Sequence, residues 1–367
     1  MKQNVAQKGL MIYRLDNPRA WRTYTGGKLI ESLHGAPEPE NSNYPEEWIM
    51  SVVTANNGER TVPGEGLSHL PELGNLSLKE MLESNGEELL GRDHYRKYGA
   101  NPGVLIKLID SHERLTTQVH PNRKKSMSLF NSPYGKTECW HILGGENPNM
   151  FFGFKEGITE EYFRKLFREQ DIPGMLECMH HLSVRPGDTI LIPGGLPHAI
   201  GADTFLIEIQ EPTDYTIRVE RTTPGGLKVE DVMCHQGLGF DRMFECFDFE
   251  GLPEEKLRER VFLKPEKLRK DENGTVTGIV DYDDTDCFAM NRIEVMPSRS
   301  LEIQKLGTFA ALYVLQGEGI IAEKDSTLAA GTGDQFFIGA DCDDITIANN
   351  GDRTLTAFLC FGPSPER

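Results

Sequence analysis

Gly187-Asp188-Thr189-Ile190-Leu191-Ile192-Pro193-Gly194-Gly195-Leu196-Pro197-His198 sets a short apolar run between two Gly/Pro turns and closes on a histidine. The run is too short for a helix and carries β-branched residues, so it predicts a strand. The turn after it presents His198 at the mouth of that strand, where a ligand is usefully placed. Other short runs of the same character surround it: Val104 to Asp110, Leu115 to His120, Thr137 to Leu143, Phe205 to Gln210 and Thr216 to Val219, separated by Gly, Pro, Asn and Ser clusters. Many short strands of this kind imply a mainly β (α+β) chain built as a barrel or jelly roll. Helices fall between the strands. Ser77-Leu78-Lys79-Glu80 is a capping box, Thr159 to Arg168 has Glu160 and Glu161 in its first turn, and Glu254 to Val261 predicts a third helix.

The later part of the chain echoes the earlier part. His141-Ile142-Leu143-Gly144-Gly145-Glu146-Asn147 resembles Tyr313-Val314-Leu315-Gln316-Gly317-Glu318-Gly319, and Gly187-Asp188 before a strand resembles Gly333-Asp334 before another. Two copies of one β-fold follow. Lys270-Asp271-Glu272-Asn273-Gly274 reads as a hairpin turn at the start of the second copy, which places the boundary near residue 265. The expected units are residues 1–264, with helical insertions, and 265–367.

Strand alternation gathers donors around His198. In Leu115-Thr116-Thr117-Gln118-Val119-His120-Pro121 it puts Thr116, Gln118 and His120 on one face; in Gly135-Lys136-Thr137-Glu138-Cys139-Trp140 it does the same for Lys136, Glu138 and Trp140. Gln118, His120, Glu138 and His198 together offer two nitrogens and two oxygens, a set that suits Zn²⁺ with room for water or substrate. Each alone is more often a satisfied polar core residue, and Glu138 alone could be the ion partner of Lys136. The combination is what points to a metal. In the second copy Ala310 falls opposite Glu138 and Asp344 opposite His198, so that copy should hold no metal.

Composition bounds the partners. The 367 residues carry a formal charge of −18, which disfavours nucleic acid and anionic membranes. An anionic substrate therefore needs a local group of cations. Lys107, Lys136 and Arg218 supply candidates, although any single Lys or Arg in a long chain is more often a solvated surface residue. Seven cysteines without CxxC spacing fit reduced thiols, and the first twenty residues, with Lys2, Lys8, Arg14 and Asp16, lack an apolar run. A cytoplasmic protein is expected. Oligomeric state has no signature in the sequence.

The Gly187 to His198 spacing resembles the second motif of the cupin superfamily. Gln118 in place of a first histidine, and the absence of an Asn soon after His198, narrow the resemblance to the type I phosphomannose isomerases, in the short bacterial form that the Gly-Lys-x-Glu-x-Trp segment looks like. The resemblance runs from about Thr25 to the C-terminus and is strongest from Val104 to Arg218. It implies two cupin (jelly-roll) barrels, one Zn²⁺ per chain, and interconversion of mannose 6-phosphate and fructose 6-phosphate, an intramolecular oxidoreductase (aldose-ketose isomerase) acting through a cis-enediol. It places Lys136 and Arg218 in the active site and gives Thr116 the position of a phosphate-contacting serine. Lys107 and Trp140 are further candidates for substrate binding. Glu208, on the strand face opposite Phe205, Ile207 and Ile209, is the first candidate for the base and Asp214 the second; either could instead be an ion partner of Arg218. Two other classes compete: an Fe²⁺ dioxygenase, for which a histidine-rich ligand set is expected, and a non-catalytic sugar-binding or regulatory protein on the same fold.

Overall fold

A computed structural model describes residues 11–304, 306–324 and 326–364. Residues 1–10, half of the stretch in which the sequence shows no apolar run, lie outside the described residues. The chain forms two pairs of sheets. In the first pair, a seven-stranded sheet runs in the order Phe262–Leu263, Thr189–Ile192, Glu138–Gly144, Thr204–Gln210, Leu105–Ser111, Glu46–Ile49, Arg19–Ala20. It faces a five-stranded sheet, Met179–Ser183, Asn149–Phe154, His198–Ile200, Gln118–Val119, Ile217–Arg218. Ile109, Trp140, Ile142 and Leu206 from one sheet pack with Met150, Phe152 and Ile200 from the other, which is what makes the pair a sandwich. The expected jelly-roll character is present, carried by two hydrogen-bonded sheets per half.

The second pair repeats the plan. Its seven-stranded sheet is Ile12–Leu15, Gln335–Ile338, Ala310–Gln316, Leu355–Phe361, Ala289–Val295, Gly274–Val280, Glu266–Lys270, and its smaller sheet is Ser300–Ile303, Ile345–Asn349, Glu318–Glu323, Ser326–Gly331. Among the described residues before 265, Ile12–Leu15 is the one segment in this sheet, paired antiparallel with Gln335–Ile338. The internal repeat holds in register: Glu138 pairs with Ile192 as Ala310 pairs with Ile338, and His141 with Thr189 as Tyr313 with Gln335.

The two large sheets lie back to back. Alternation along Glu138–Gly144 and Thr204–Gln210 sends Cys139, Ile207 and Ile209 into a core shared with Tyr313, Phe337 and Phe358 of the second half. The residues between them, Glu138, Trp140 and Glu208, point the other way, into the first sandwich. Helices cover the edges. Leu78–Leu90 starts on Ser77, whose side chain and that of Glu80 form the expected capping box, and Glu160–Glu169 is capped by Thr159. The helix expected near Glu254 spans Glu254–Val261. No helix among the described residues is long and apolar enough to cross a membrane.

Candidate metal centre

Two glycines explain how three distant segments meet. A Cβ on Gly135 would stand 2.8 Å from the Pro121 carbonyl oxygen, and one on Gly194 would stand 2.6 Å from the Asn122 Cα. Only glycine lets both segments close on the Pro121–Asn122 backbone from their two sides. The Gly195 N–H then donates to the His120 carbonyl at 2.8 Å, tying the 193–198 turn to the Gln118-x-His120 segment. Lys136 and Glu138 follow Gly135 directly, and His198 follows Gly194 by four residues, so the glycines of the motifs position the donors.

The four candidate ligands converge. His120, Glu138 and His198 have ligand atoms within 4.8 Å of one another, and these are the one such buried group among the described residues. His120 Nε2 lies 3.1 Å from Glu138 Oε1, His198 Nε2 lies 3.8 Å from Glu138 Oε2, and the Gln118 amide lies 3.3 Å from His198 Nε2. Donors about 2.0–2.1 Å from a tetrahedral cation stand about 3.4 Å apart, so the spacing fits one ion. The outer nitrogens are already committed: His120 Nδ1 donates to the Tyr215 carbonyl at 2.8 Å and His198 Nδ1 to the Leu196 carbonyl at 2.9 Å. Each ring thereby turns an Nε2 lone pair inward, the tautomer a metal needs. Turning the Gln118 amide by 180° puts its oxygen toward the same point.

Glu138 supplies the strongest sign of a cation site. Both its oxygens are buried and accept no hydrogen bond, although Lys136 Nζ stands 2.7 Å and His120 Nε2 3.1 Å from Oε1. These neighbours lie within ionic range but off the hydrogen-bonding direction, so the carboxylate lone pairs remain open. Burial pushes the Glu138 pKa up, yet His120 and Lys136 outweigh it and hold the group well below the usual carboxylate range. Burial pushes His198 down to about 3, leaving a neutral imidazole.

The centre opens into a cavity beside Gln118 and Glu138. Thr116, Lys107, Lys136, Glu208, Asp214 and Arg218 all line it. Trp140 does not: it is fully buried, stands edge-on to His198 with ring centroids 5.3 Å apart, and donates its Nε1–H to Glu208 Oε2 at 2.9 Å. Glu208 Oε1 lies 3.1 Å from Lys107 Nζ. Burial first, and then the charge of Glu138, raise the Glu208 pKa above its ordinary value. The competing reading of the two acids is not met, since neither is the ion partner of Arg218: no carboxylate among the described residues lies within 4 Å of it. It donates Nη1 to the carbonyls of Thr216 and Met233, at 3.3 and 2.9 Å. Asp214 faces Arg22 instead, at 3.4 Å, and accepts the Asn56 N–H at 3.0 Å. Although burial pushes its pKa up, Arg22 and the two lysines bring it below the ordinary value.

Sequence reasoning missed several groups. Glu46 lines the cavity, accepts from Tyr24 and Trp48, and pairs with Arg22 at 2.9 Å. Glu211 accepts the N–H groups of Gly135 and Thr137, and Glu220 accepts that of Thr117, so buried carboxylates hold both ligand-bearing backbones. The alternation Glu46-Glu47-Trp48 was the signal available for Glu46; Arg22 and Glu220 carry none.

No family model matches the chain. Among curated proteins it is 32% identical over 132 residues to the probable mannose-6-phosphate isomerase GmuF of Bacillus subtilis, a stretch covering 35% of this chain and 41% of that one. It is 26% identical over 242 residues to mannose-6-phosphate isomerase ManA of the same organism, covering 64% of this chain and 68% of the relative. The solved mannose 6-phosphate isomerase of Bacillus subtilis superposes with a TM-score of 0.73 at 20% identity, covering 96% of this chain and 99% of that one. A zinc-bound mannose 6-phosphate isomerase structure superposes with a TM-score of 0.71 at 16% identity, over 97% and 100%. The aligned part spans about two fifths of the length of the first relative, whereas the fold matches over nearly the whole length of both structures. In sequence and in fold, the chain is similar to the mannose-6-phosphate isomerases.

Proposed function

We propose that this chain is a zinc-dependent mannose-6-phosphate isomerase that interconverts mannose 6-phosphate and fructose 6-phosphate. The observation that carries the proposal is the open-paired Glu138 carboxylate among two imidazoles and an amide, at the floor of a cavity rich in cations. Charge supports it. The cations Arg22, Lys107, Lys136 and Arg218 line the cavity with the carboxylates Glu46, Glu138, Glu208 and Asp214. These offset formally, so a divalent cation leaves two positive charges, which a phosphate dianion cancels.

Gln118, His120, Glu138 and His198 would hold one zinc, which would act as an electrophile toward substrate oxygen. The chain's own groups do the rest. Glu208, beside Lys107 and with its pKa raised above the ordinary carboxylate value, takes the carbon-bound proton and returns it to the neighbouring carbon of the cis-enediol. Trp140 fixes the orientation of Glu208 and so acts as a positioning residue. Arg218, with no carboxylate of its own, and Lys136 stabilise the charge on the enediolate and the phosphate, while the Thr116 hydroxyl donates to a phosphate oxygen. Asp214, held below its ordinary range, is the weaker base and the second choice.

We assign the chemistry to residues 1–264 and a supporting role to 265–367, to whose sheet Ile12–Leu15 is lent. Seven buried, unpaired cysteines support a reducing, cytoplasmic location. The non-catalytic alternative would keep the fold without a base and an unpaired arginine in one cavity, and both are here. Purified protein should convert mannose 6-phosphate in a coupled assay, lose activity to a chelator and regain it with zinc; His120→Ala should hold no stoichiometric metal. Activity that survives complete metal removal would sink the proposal.

A further inference from the structure

Arg22 follows the edge strand Arg19–Ala20 and is only 5% exposed. Its guanidinium lies over the Trp48 ring, 4.9 Å from the centroid. Nε donates to Glu46 Oε2 at 2.9 Å, and Nη1 reaches Asn57 Oδ1 at 3.3 Å and Asp214 Oδ2 at 3.4 Å. These contacts use three of the five N–H groups of the side chain. The remaining two sit on Nη2, which is buried and has no hydrogen-bond partner, while the residue lines the cavity. Leaving a charged donor buried and unpaired is costly, so an acceptor belongs in the cavity in front of it.

The surroundings decide what that acceptor is. Around Arg22 the carboxylates of Glu46 and Asp214 already match the charges of Arg22 and of Lys107, which stands 3.8 Å from Glu46. No positive charge is left over for an anion at this end. Arg218, without a carboxylate within 4 Å among the described residues, is where such charge is left over. A neutral oxygen suits the Arg22 end better, and a hydroxyl suits it best, because a second group there can take its proton: Asp214 Oδ1 accepts no hydrogen bond from the described residues.

We propose that Arg22 Nη2 and the Asp214 carboxylate form a donor–acceptor pair that grips one hydroxyl of the sugar, making Arg22 a specificity residue separate from the cations that hold the phosphate. The proposal rests on the sugar phosphate substrate put forward above. Calorimetry of the zinc-loaded enzyme tests it without relying on turnover, using mannose 6-phosphate, analogues each lacking one hydroxyl, and inorganic phosphate. Arg22→Gln removes the fork; Arg22→Lys keeps a cation beside Glu46 and carries the test if the first variant does not fold. Both should weaken mannose 6-phosphate binding roughly ten- to a hundredfold, the range for a hydrogen bond from a charged donor. Affinity for inorganic phosphate should not change. One deoxy analogue should lose as much in the wild type, and on that analogue the variants should lose nothing further. An equal loss for inorganic phosphate, a loss uniform across all analogues, or no loss overturns the assignment. A wild-type enzyme that binds no hexose phosphate overturns the functional proposal and this one together, while one that binds without turning over overturns only the activity.

Discussion

Replacing Glu46 by Gln removes one charge from the wall of the cavity and almost nothing of its shape. Glu46 is 4% exposed and accepts hydrogen bonds from Tyr24 Oη and Trp48 Nε1, both at 2.8 Å, beside the Arg22 ion pair. Burial alone would push its pKa up, but Arg22 and Lys107, helped by the two hydrogen bonds, bring it from 4.5 to about 2. At about 1.4 kcal/mol per unit, the folded state therefore favours the carboxylate over the acid by roughly 3 kcal/mol at pH 7. The sign follows from the depression. The contribution is fully present above the unfolded value near 4.5 and is lost as pH falls through about 2. Urea unfolding in the presence of chelator, which removes the contribution of bound metal, should show Glu46→Gln destabilised by about 3 kcal/mol at pH 7 and by about 1 kcal/mol at pH 3. A packing defect would cost the same at both pH values. A difference below 1 kcal/mol at pH 7, or one that does not shrink on acidification, refutes the electrostatic account.

Arg218→Ala should retain one equivalent of zinc and lower kcat by orders of magnitude, because the lost charge acts on the transition state; a change confined to KM would make Arg218 a residue that only positions substrate. Glu208→Gln should keep zinc and substrate affinity and lose most turnover, with exchange of the C2 hydrogen of mannose 6-phosphate into deuterated solvent falling in step. Near-normal exchange in that variant moves the base to Asp214 or to a solvent molecule.

How much of this was legible in the sequence depends on chain distance and periodicity. Strands of seven residues such as Leu105–Ser111, Glu138–Gly144 and Thr204–Gln210 were readable because alternation extends over several repeats. It also told Glu208 from Ile207 and Ile209. The Gln118 segment was overestimated: only Gln118–Val119 is strand, because the chain turns at Pro121 to receive Gly135 and Gly194. Arg22 and Glu46 stayed hidden because nothing in their local spacing links them to residues near 107 or 214. Tertiary pairing of Glu46–Ile49 with Leu105–Ser111 brings them in. Partners of buried charges were the least readable feature, as the exchange of Arg218 for Arg22 beside Asp214 illustrates.

The repeat shows how the second half can differ from the first at the positions aligned with the candidate site and still bear on that site. Where the first half pairs Glu208 with Trp140 and Lys107, the second pairs Leu359 with Leu312 and Asn291. Leu312 and Leu359 sit with Ala310 in an apolar core, and Asp344, which the repeat sets opposite His198, is exposed. Its large sheet instead presses on the backs of the very strands that carry Glu138, Trp140 and Glu208. An ion pair also crosses the halves, Arg123 to Asp286 at 2.8 Å, but its side chains are 36% and 47% exposed, and such a pair contributes about 1 kcal/mol at most. The packing of Cys139, Ile207 and Ile209 against Tyr313, Phe337 and Phe358 buries side chains that contribute about 1.5–3 kcal/mol each for the larger apolar residues. Shape complementarity across this core, rather than charge, therefore holds the two halves in register. Because inward and outward residues alternate on one backbone, a shift of the outer face displaces the ligands on the inner one.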